Sequence, residues 1–181
     1  MLIDSHCHLD FPDLANNIDE ILENMKNNEV THALCVSVNL EDFPRILLLA
    51  ESHSNLYASV GVHPDYEDLT EPKSEELVSL ANNPKVIAIG ETGLDYSRIK
   101  GDLEWQRNRF REHIRAARQC NKPLIIHTRE AAADTLSIMA EEGADQTGGV
   151  MHCFTESWEV AQKAMEMNFY ISFSGIVTFK N

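Results

Sequence analysis

Short apolar runs alternate with longer polar segments of helical period along the whole chain. The apolar runs predict seven strands, at Met1–Ser5, Ala33–Val38, Tyr57–Val62, Val86–Ile89, Leu124–Ile126, Gly149–His152 and Tyr170–Ser174. The segments between them predict six helices, at about Ile18–Asn28, Pro44–Ser52, Lys73–Asn82, Leu103–Cys120, Ala131–Glu142 and Trp158–Met167. Strands that alternate with helices in this way predict a parallel sheet covered by helices. We expect a single domain over residues 1–181.

Two α/β architectures fit this alternation, a (β/α) barrel and a doubly wound sheet. No strand is followed by G-x-G-x-x-G or by G-x-x-x-x-G-K-[ST], so the nucleotide-binding sheet lacks its main signature. The prediction is therefore a TIM-type (β/α) barrel. Such barrels usually need about 250 residues, and only seven strands are predicted here. We expect an incomplete barrel of about seven βα units, without the eighth strand.

Metal-binding side chains follow the predicted strands at the point where each strand ends. They are His6 and His8 after the first run, His63 after the third, Glu91 after the fourth, His127 after the fifth and His152 at the end of the sixth. Active sites of (β/α) barrels are built at these carboxyl ends, from several strands. The other three histidines (His32, His53 and His113) precede a strand or fall in predicted helices, and we expect them to serve surface or core packing.

The set favours a centre of two divalent ions, because it holds too many ligands for one tetrahedral ion with an open position. His6 and His8 lie on one face of a strand and would hold one ion. His127 and His152 would hold the other, with Glu91 as a bridging and catalytic carboxylate. Such a pair of ions, Mg, Zn or Mn, suits hydrolysis.

Other roles remain open for several of these residues. His63 and Arg129 are expected on the substrate side, where they could hold an anionic group, although His63 could instead orient a metal ligand. A single histidine at a strand end could simply satisfy a polar group. Glu91 alone could cap the next helix or pair with Arg98 or Arg107.

The charge of the chain bears on its partners. The formal net charge is −14, from 15 Lys and Arg against 29 Asp and Glu. This argues against broad binding of a phosphate backbone. It does not exclude chemistry on a nucleic acid, because bound cations can reverse the local sign. The four cysteines form no C-x-x-C pair and are expected to be reduced core residues of a cytosolic protein. No apolar run is long enough to predict a membrane span.

Five segments together resemble the TatD family of metal-dependent deoxyribonucleases, which are amidohydrolase-like barrels. The segments are Asp4–Asp10, Gly61–Pro64, Gly90–Tyr96, His127–Ala131 and His152–Thr155. The resemblance implies metal ligation by His6, His8, Glu91, His127 and His152, and binding of substrate phosphate by His63. It also implies cytosolic hydrolysis of DNA phosphodiesters, often from 3′ ends, with a divalent metal such as Mg.

The chain departs from this family at its C-terminus. Family members carry a metal-binding aspartate on the eighth strand, and Asp4, Asp10 and Asp95 are poorly placed substitutes for it. We therefore expect the chain to be part of a longer protein, with open edges at its first and last strands that could support self-association. Two alternatives stay open: a short inactive paralogue that binds metal or a partner, and a hydrolase of small amides or esters. The second alternative would call for a carboxylated lysine where Glu91 stands.

Overall fold

The structure is a computed structural model that describes residues 1–67, 69–99 and 101–180. The described strands are β1 (Leu2–Cys7), β2 (Val30–Cys35), β3 (Leu56–Val60), β4 (Val86–Asp95), β5 (Leu124–Arg129), β6 (Gly149–Met151) and β7 (Phe169–Ile171). The described α-helices are α1 (Pro12–Ala15), α2 (Ile18–Asn27), α3 (Phe43–Ser52), α4 (Ser74–Ala81), α5 (Glu104–Cys120), α6 (Ala132–Glu141) and α7 (Trp158–Glu166).

The seven predicted strands and six predicted helices are confirmed, with shifts at some ends. The largest shift is in β4, which continues to Asp95 instead of ending at Ile89, because Gly90–Gly93 interrupts the apolar pattern without breaking the pairing to β5. β1 continues through His6, whereas β6 ends one residue before His152. Helix α1 and two 3₁₀ turns, at Ala144–Gln146 and Gly175–Thr178, were not predicted.

All seven strands run parallel and pair in chain order, β1 to β7. The sheet curls strongly, since the imidazole rings of His6 on β1 and His152 after β6 stack with their centroids 3.3 Å apart. Five strand spacings of about 4.8 Å would separate β1 from β6 in a flat sheet. The predicted barrel architecture is confirmed, and its curl brings the carboxyl ends of distant strands together.

The main core lies between the outer face of the sheet and the helices. Leu56, Ile89 and Leu124 of the strands pack there with Phe110 and Ile114 of α5, and all five are fully buried. The inner face of the sheet borders a largely apolar cavity of about 670 Å³. Leu34, Ile87, Ile125, Val150 and Tyr170 are among its lining residues.

β4 and β5 approach each other very closely at the level of the histidines. Gly93 has a φ of +134°, and a Cβ added there would lie 1.9 Å from the carbonyl oxygen of His127. Only glycine avoids both the steric clash and the unfavourable φ. This contact sets the spacing between β4 and His127 on β5.

Two lysines bind backbone carbonyls at the opposite, N-terminal end of the strands. Lys85, just before β4, donates from Nζ to the carbonyls of His53 (2.7 Å) and Ser54, which precede β3, and of Leu56 (2.9 Å), the first residue of β3. Lys122, just before β5, donates to the last residue of α4 and the first residue of β4. These ammonium groups donate to carbonyls at and beside the ends of helices and strands, where backbone hydrogen bonding is incomplete.

The outer strands of the described sheet are β1 and β7, and both expose apolar side chains. Ile3 on β1 is 63% exposed, Tyr170 on β7 is 81% exposed and Phe173 beyond it is 73% exposed. Patches of this kind favour association. Within the described ranges, none of the helices has both the length and the apolar character needed to cross a bilayer.

Candidate metal centre

Glu91 lies at the middle of the site, on the stretch of β4 that sequence patterning did not predict as strand. Its backbone N–H donates to the carbonyl of Ser37 (2.8 Å), which anchors the residue to the end of β2. One carboxylate oxygen, Oε2, lies 3.3 Å from Nε2 of His6. The other, Oε1, lies 3.5 Å from Nδ1 of His127 and 3.8 Å from Nε2 of His63. The carboxylate therefore faces two groups of imidazoles at once.

Two groups of candidate ligand atoms result from this geometry. One consists of His6, His8 and Glu91, and the other of His63, Glu91 and His127; within each group the atoms lie within 4.8 Å of one another. His6 and His8 share one cluster, as the strand alternation predicted. His152 is placed beside His6 by ring stacking, and not in a cluster with His127.

Hydrogen bonds fix which nitrogen of His8 and of His127 carries a proton. Nδ1 of His8 lies 3.1 Å from the carbonyl of Val36, which can only accept, so Nδ1 is protonated and Nε2 is left with a lone pair. Nε2 of His127 lies 3.0 Å from Oδ2 of Asp95, so this nitrogen donates and Nδ1 faces Glu91. A proton or a cation is needed between Nδ1 and the carboxylate, because both atoms are acceptors.

His63 has the opposite arrangement. Its Nδ1 accepts a hydrogen bond from the backbone N–H of Asp65 at 3.2 Å. In a neutral imidazole the other nitrogen must then carry the proton, so Nε2 of His63 is a donor that faces into the site. A ring held in this way is suited to bind an anion, and poorly suited to ligate a cation.

Burial and neighbouring charges set the protonation of the site. Burial lowers the pKa of His63 and of His152 to about 4 and also lowers the pKa of His8, so these rings are neutral at pH 7. Burial alone would raise the pKa of Glu91, but the contacts to His127 and His6 hold it well below its usual range. His127 differs, because the contacts to Glu91 and Asp95 raise its pKa against the effect of burial. Metal binding requires neutral imidazoles beside an ionised carboxylate, so a cation at Glu91 would replace the proton of His127.

Asp95 is the main polar group of the site whose role sequence reasoning missed. Its Oδ1 accepts from the backbone N–H (2.8 Å) and the hydroxyl (2.6 Å) of Ser97, while Oδ2 holds His127. The sequence suggests this residue only as a substitute metal ligand. Its separation of four residues from Glu91, which places both on one face of a strand, was the available signal.

The remaining predicted residues have distinct surroundings. Asp10 is buried and bonds to Arg45 (3.1 Å), and Asp4 accepts from the backbone N–H of His6 (3.0 Å). Neither belongs to a candidate ligand group among the described residues. Arg129, at the end of β5, is exposed, and its side chain has no ion pair with any residue of the described ranges. Its guanidinium is therefore free to meet a ligand.

The residues present fit a bound divalent ion. Both ring nitrogens of His6 and Nδ1 of His152 are buried without a hydrogen-bond partner among the described residues. Buried polar atoms in proteins are almost always satisfied. Imidazole nitrogens and a carboxylate are common ligands of Zn, Mn and related ions. An ion beside Glu91 would supply the missing partners.

The chain is similar to proteins that are named as metal-dependent hydrolases. The family model described as "TatD related DNase" matches residues 3–181. A protein of Buchnera aphidicola subsp. Baizongia pistaciae named "Uncharacterized metal-dependent hydrolase" is 45% identical over 185 residues, covering 99% of this chain and 69% of that protein. "Uncharacterized metal-dependent hydrolase YabD" of Bacillus subtilis is 42% identical over 182 residues, covering 100% of this chain and 71% of that protein.

A solved structure extends the match to three dimensions. The crystal structure of YJJV, a TatD homolog from Escherichia coli K12, superimposes with a TM-score of 0.88 at 29% identity. The superposition covers 98% of this chain and 70% of that chain. The family model, the sequence similarity and the fold show that the chain belongs to the TatD related DNase family.

Proposed function

We propose that the protein is a metal-dependent hydrolase that cleaves DNA phosphodiester bonds through a centre of two divalent ions, starting from 3′ ends. The observation that carries this proposal is the split contact of Glu91, whose two carboxylate oxygens face different groups of imidazoles. A carboxylate in this position can bridge two ions. The family and its metal-dependent relatives support the same reaction class.

The ligands would be shared between two ions, Mg, Zn or Mn. His6, His8 and Glu91 would hold one, and Glu91 and His127 the other. His152, which stacks on His6, would supply a further nitrogen. Bound ions would supply Lewis-acid activation of a phosphoryl oxygen and of the attacking water. The chain itself contributes an ionised Glu91 and a His127 ring fixed by Asp95, which keep the donor atoms oriented toward the ions.

Substrate binding is assigned to His63 and Arg129. The Nε2–H of His63 faces the site beside Glu91, where it would donate to a phosphate oxygen. Arg129 would meet the phosphate with its unpaired guanidinium, a favourable geometry for this anion. Hydrolysis then adds the water oxygen to phosphorus and breaks the bond to the leaving sugar oxygen, which takes up a proton.

A digest of end-labelled DNA tests the proposal. Single-stranded and duplex oligonucleotides are incubated with the protein, with EDTA, and with EDTA followed by excess Mg²⁺, Mn²⁺ or Zn²⁺. We expect nucleotide release that EDTA abolishes and metal restores, with 5′-labelled products that shorten stepwise. Glu91→Gln should abolish release. Absence of any metal-dependent release would contradict the proposal.

Assays of small esters and amides and a measurement of metal binding would distinguish two alternatives. Turnover of small esters or amides without cleavage of DNA would favour the hydrolase of small substrates, although Glu91 stands where that chemistry would call for a carboxylated lysine. Metal binding without any turnover would favour the inactive paralogue. A single domain, a cytosolic location and self-association through β1 and β7 stay predictions, the last supported by the exposed Ile3, Tyr170 and Phe173.

A further inference from the structure

One face of α5 carries three polar side chains in the middle of the core. Gln106, Arg109 and His113 are spaced by three and four residues, which places them in one row along the helix. Their exposed fractions are 0%, 2% and 0%, and Phe110 and Ile114 of the same helix are fully buried. Buried polar groups at this depth are costly unless they are bonded, so their partners reveal what the row is for.

Each of the three side chains binds a different residue of one short backbone segment, Val62–Pro64. Nε2 of His113 accepts from the N–H of Val62 at 3.0 Å. A guanidinium nitrogen of Arg109 donates to the carbonyl of His63 at 3.0 Å. Nε2 of Gln106 donates to the carbonyl of Pro64 at 3.2 Å. The three bonds run in register, residue by residue, and hold the backbone on both sides of the His63 side chain.

Two of these side chains are themselves held in place. Arg109 makes a bidentate pair with Glu71 (2.8 and 2.6 Å), and its guanidinium lies 4.7 Å from the ring centroid of Trp105. Nδ1 of His113 donates to the carbonyl of Arg109 at 2.8 Å. This partner fixes the tautomer, which leaves Nε2 as the acceptor that Val62 needs.

Gln106 connects the segment to the other half of the site. Its Oε1 accepts from the N–H of Asp95 (3.0 Å), and its Nε2 also donates to the carbonyl of Asp95 (3.1 Å). Asp95 in turn holds His127. One amide side chain therefore links the segment that carries His63 to the residue that orients His127.

We propose that Gln106, Arg109 and His113 are positioning residues that hold the Nε2–H of His63 at a fixed place relative to the Glu91 and His127 cluster. The inference rests on the proposed function, because it assigns His63 to the substrate phosphate. A donor displaced by 1 Å contributes little to binding an anion. The row of polar residues on α5 therefore acts on substrate affinity through His63, and Gln106 acts in addition on Asp95, which holds His127.

A double-mutant cycle tests this coupling. Arg109→Met is made alone and together with His63→Ala, and KM and kcat are measured on an oligonucleotide and on bis(4-nitrophenyl) phosphate. We expect Arg109→Met to raise KM about tenfold, in the range of a lost charge-assisted hydrogen bond. Adding His63→Ala to that variant should raise KM by less than a further threefold. Fully additive losses would overturn the proposal, since a merely structural role predicts them.

Matched variants separate positioning from general destabilisation. Arg111→Met removes an arginine of the same helix that pairs only with outer glutamates such as Glu104 and Glu141, and it should change KM less than twofold. His113→Gln can still accept from Val62 and donate to the carbonyl of Arg109, so it should retain most of the affinity that His113→Leu loses. Equal losses for the two His113 variants would contradict positioning.

A measurement without substrate keeps this inference separable from the proposed function. Hydrogen–deuterium exchange of the metal-free protein reports the N–H groups of Val62 and Asp65. Arg109→Met and Gln106→Met should speed exchange in this segment at least tenfold, while Arg111→Met leaves it unchanged. Unchanged protection in both variants would overturn the inference. Failure to cleave DNA would overturn only the proposed function, because the exchange result still decides whether the row holds the segment.

Discussion

Nε2 of His127 lies 3.0 Å from Oδ2 of Asp95, while Nδ1 of the same ring lies 3.5 Å from Oε1 of Glu91. The imidazole is thus clamped between a carboxylate that orients it and a carboxylate that shares its candidate ion. Such pairs of carboxylate and histidine fix the tautomer and the direction of the ligand lone pair. Asp95 is itself immobilised by Ser97 and Gln106.

Replacing Asp95 by asparagine should weaken metal binding on the His127 side by about 10- to 100-fold, the usual cost of losing such a partner. Isothermal titration of the apo protein with Mn²⁺ or Zn²⁺ should resolve one site close to its original affinity and one weakened site. Asp145→Asn, an exposed carboxylate at the far end of the strands, is the matched control. Two unaltered sites in Asp95→Asn would refute this role.

Replacing Arg129 by alanine should raise KM for DNA about tenfold. This lies at the lower end of the range for losing a hydrogen bond to a charged group, because the side chain is exposed. It should also reduce the slope of the logarithm of the DNA-binding constant against the logarithm of the salt concentration by about one, as expected for one lost phosphate contact. Fluorescence anisotropy at several salt concentrations measures both affinity and slope. Arg118→Ala, whose partners are Glu142 and Gln146, should change neither.

Acidification should destabilise the fold through His113. Burial lowers the pKa of this ring to about 4, although its hydrogen bond to the carbonyl of Arg109 opposes the shift. The unfolded chain takes up a proton near pH 6.5, whereas the folded chain does so only near pH 4. Stability is therefore complete above about pH 6.5 and falls between pH 6.5 and 4, by about 3 kcal/mol for this group.

Urea denaturation between pH 7.5 and 4.5, in the presence of EDTA, measures this dependence. His113→Gln has no titratable ring. The slope of its free energy of unfolding against pH should therefore correspond to about one proton fewer taken up on unfolding than in the wild type. Parallel curves for the two proteins would show that His113 is not the group responsible.

Lys85→Met should lower the free energy of unfolding by about 1–3 kcal/mol, because the carbonyls of His53, Ser54 and Leu56 lose a charged donor. The kinetic constants should stay within twofold, since the lysine lies at the end of the strands opposite the site. Lys163→Met on α7 removes an exposed lysine and should change neither quantity. A large loss of activity at full stability would contradict this separation.

Self-association should occur through the apolar edges of β1 and β7. Sedimentation velocity from 1 to 100 μM should show a rise in mass with concentration. The double variant Ile3→Lys and Tyr170→Lys should suppress it, because two charges on an exposed patch oppose its burial. Phe11→Lys, on an exposed residue outside β1 and β7, serves as the control. A monomer over the whole range would disprove the prediction.

Much of the site was predictable from the polar residues at the strand ends. His6, Glu91 and His127 were assigned to one site only because they end apolar runs, and parallel strands end at one edge. The tautomers were not predictable, since they depend on backbone groups such as Val36 and Asp65 that come near only after folding. The sequence therefore does not show which nitrogen of His63 or of His127 faces Glu91, although this decides which ring donates a proton and which offers a lone pair.

The role of α5 was hidden for a related reason. His113 was expected to serve packing, and it is indeed fully buried. Its polar neighbours Gln106 and Arg109 match the spacing of an ordinary solvated helix face, so periodicity alone cannot show that the face is buried. Asp95 was similarly obscured, because glycines at 90 and 93 break the apolar pattern of β4 before it reaches this residue.

The lysines beneath β4 and β5 have a practical consequence for engineering. Lys85 and Lys122 bind the ends of helices and strands that lie a full strand length away from Glu91 and its histidines. Substitutions that improve heat tolerance can therefore be sought among the residues around these two ammonium groups. Screens for altered substrate range can be confined to the opposite rim, and the two sets of changes should combine without interference.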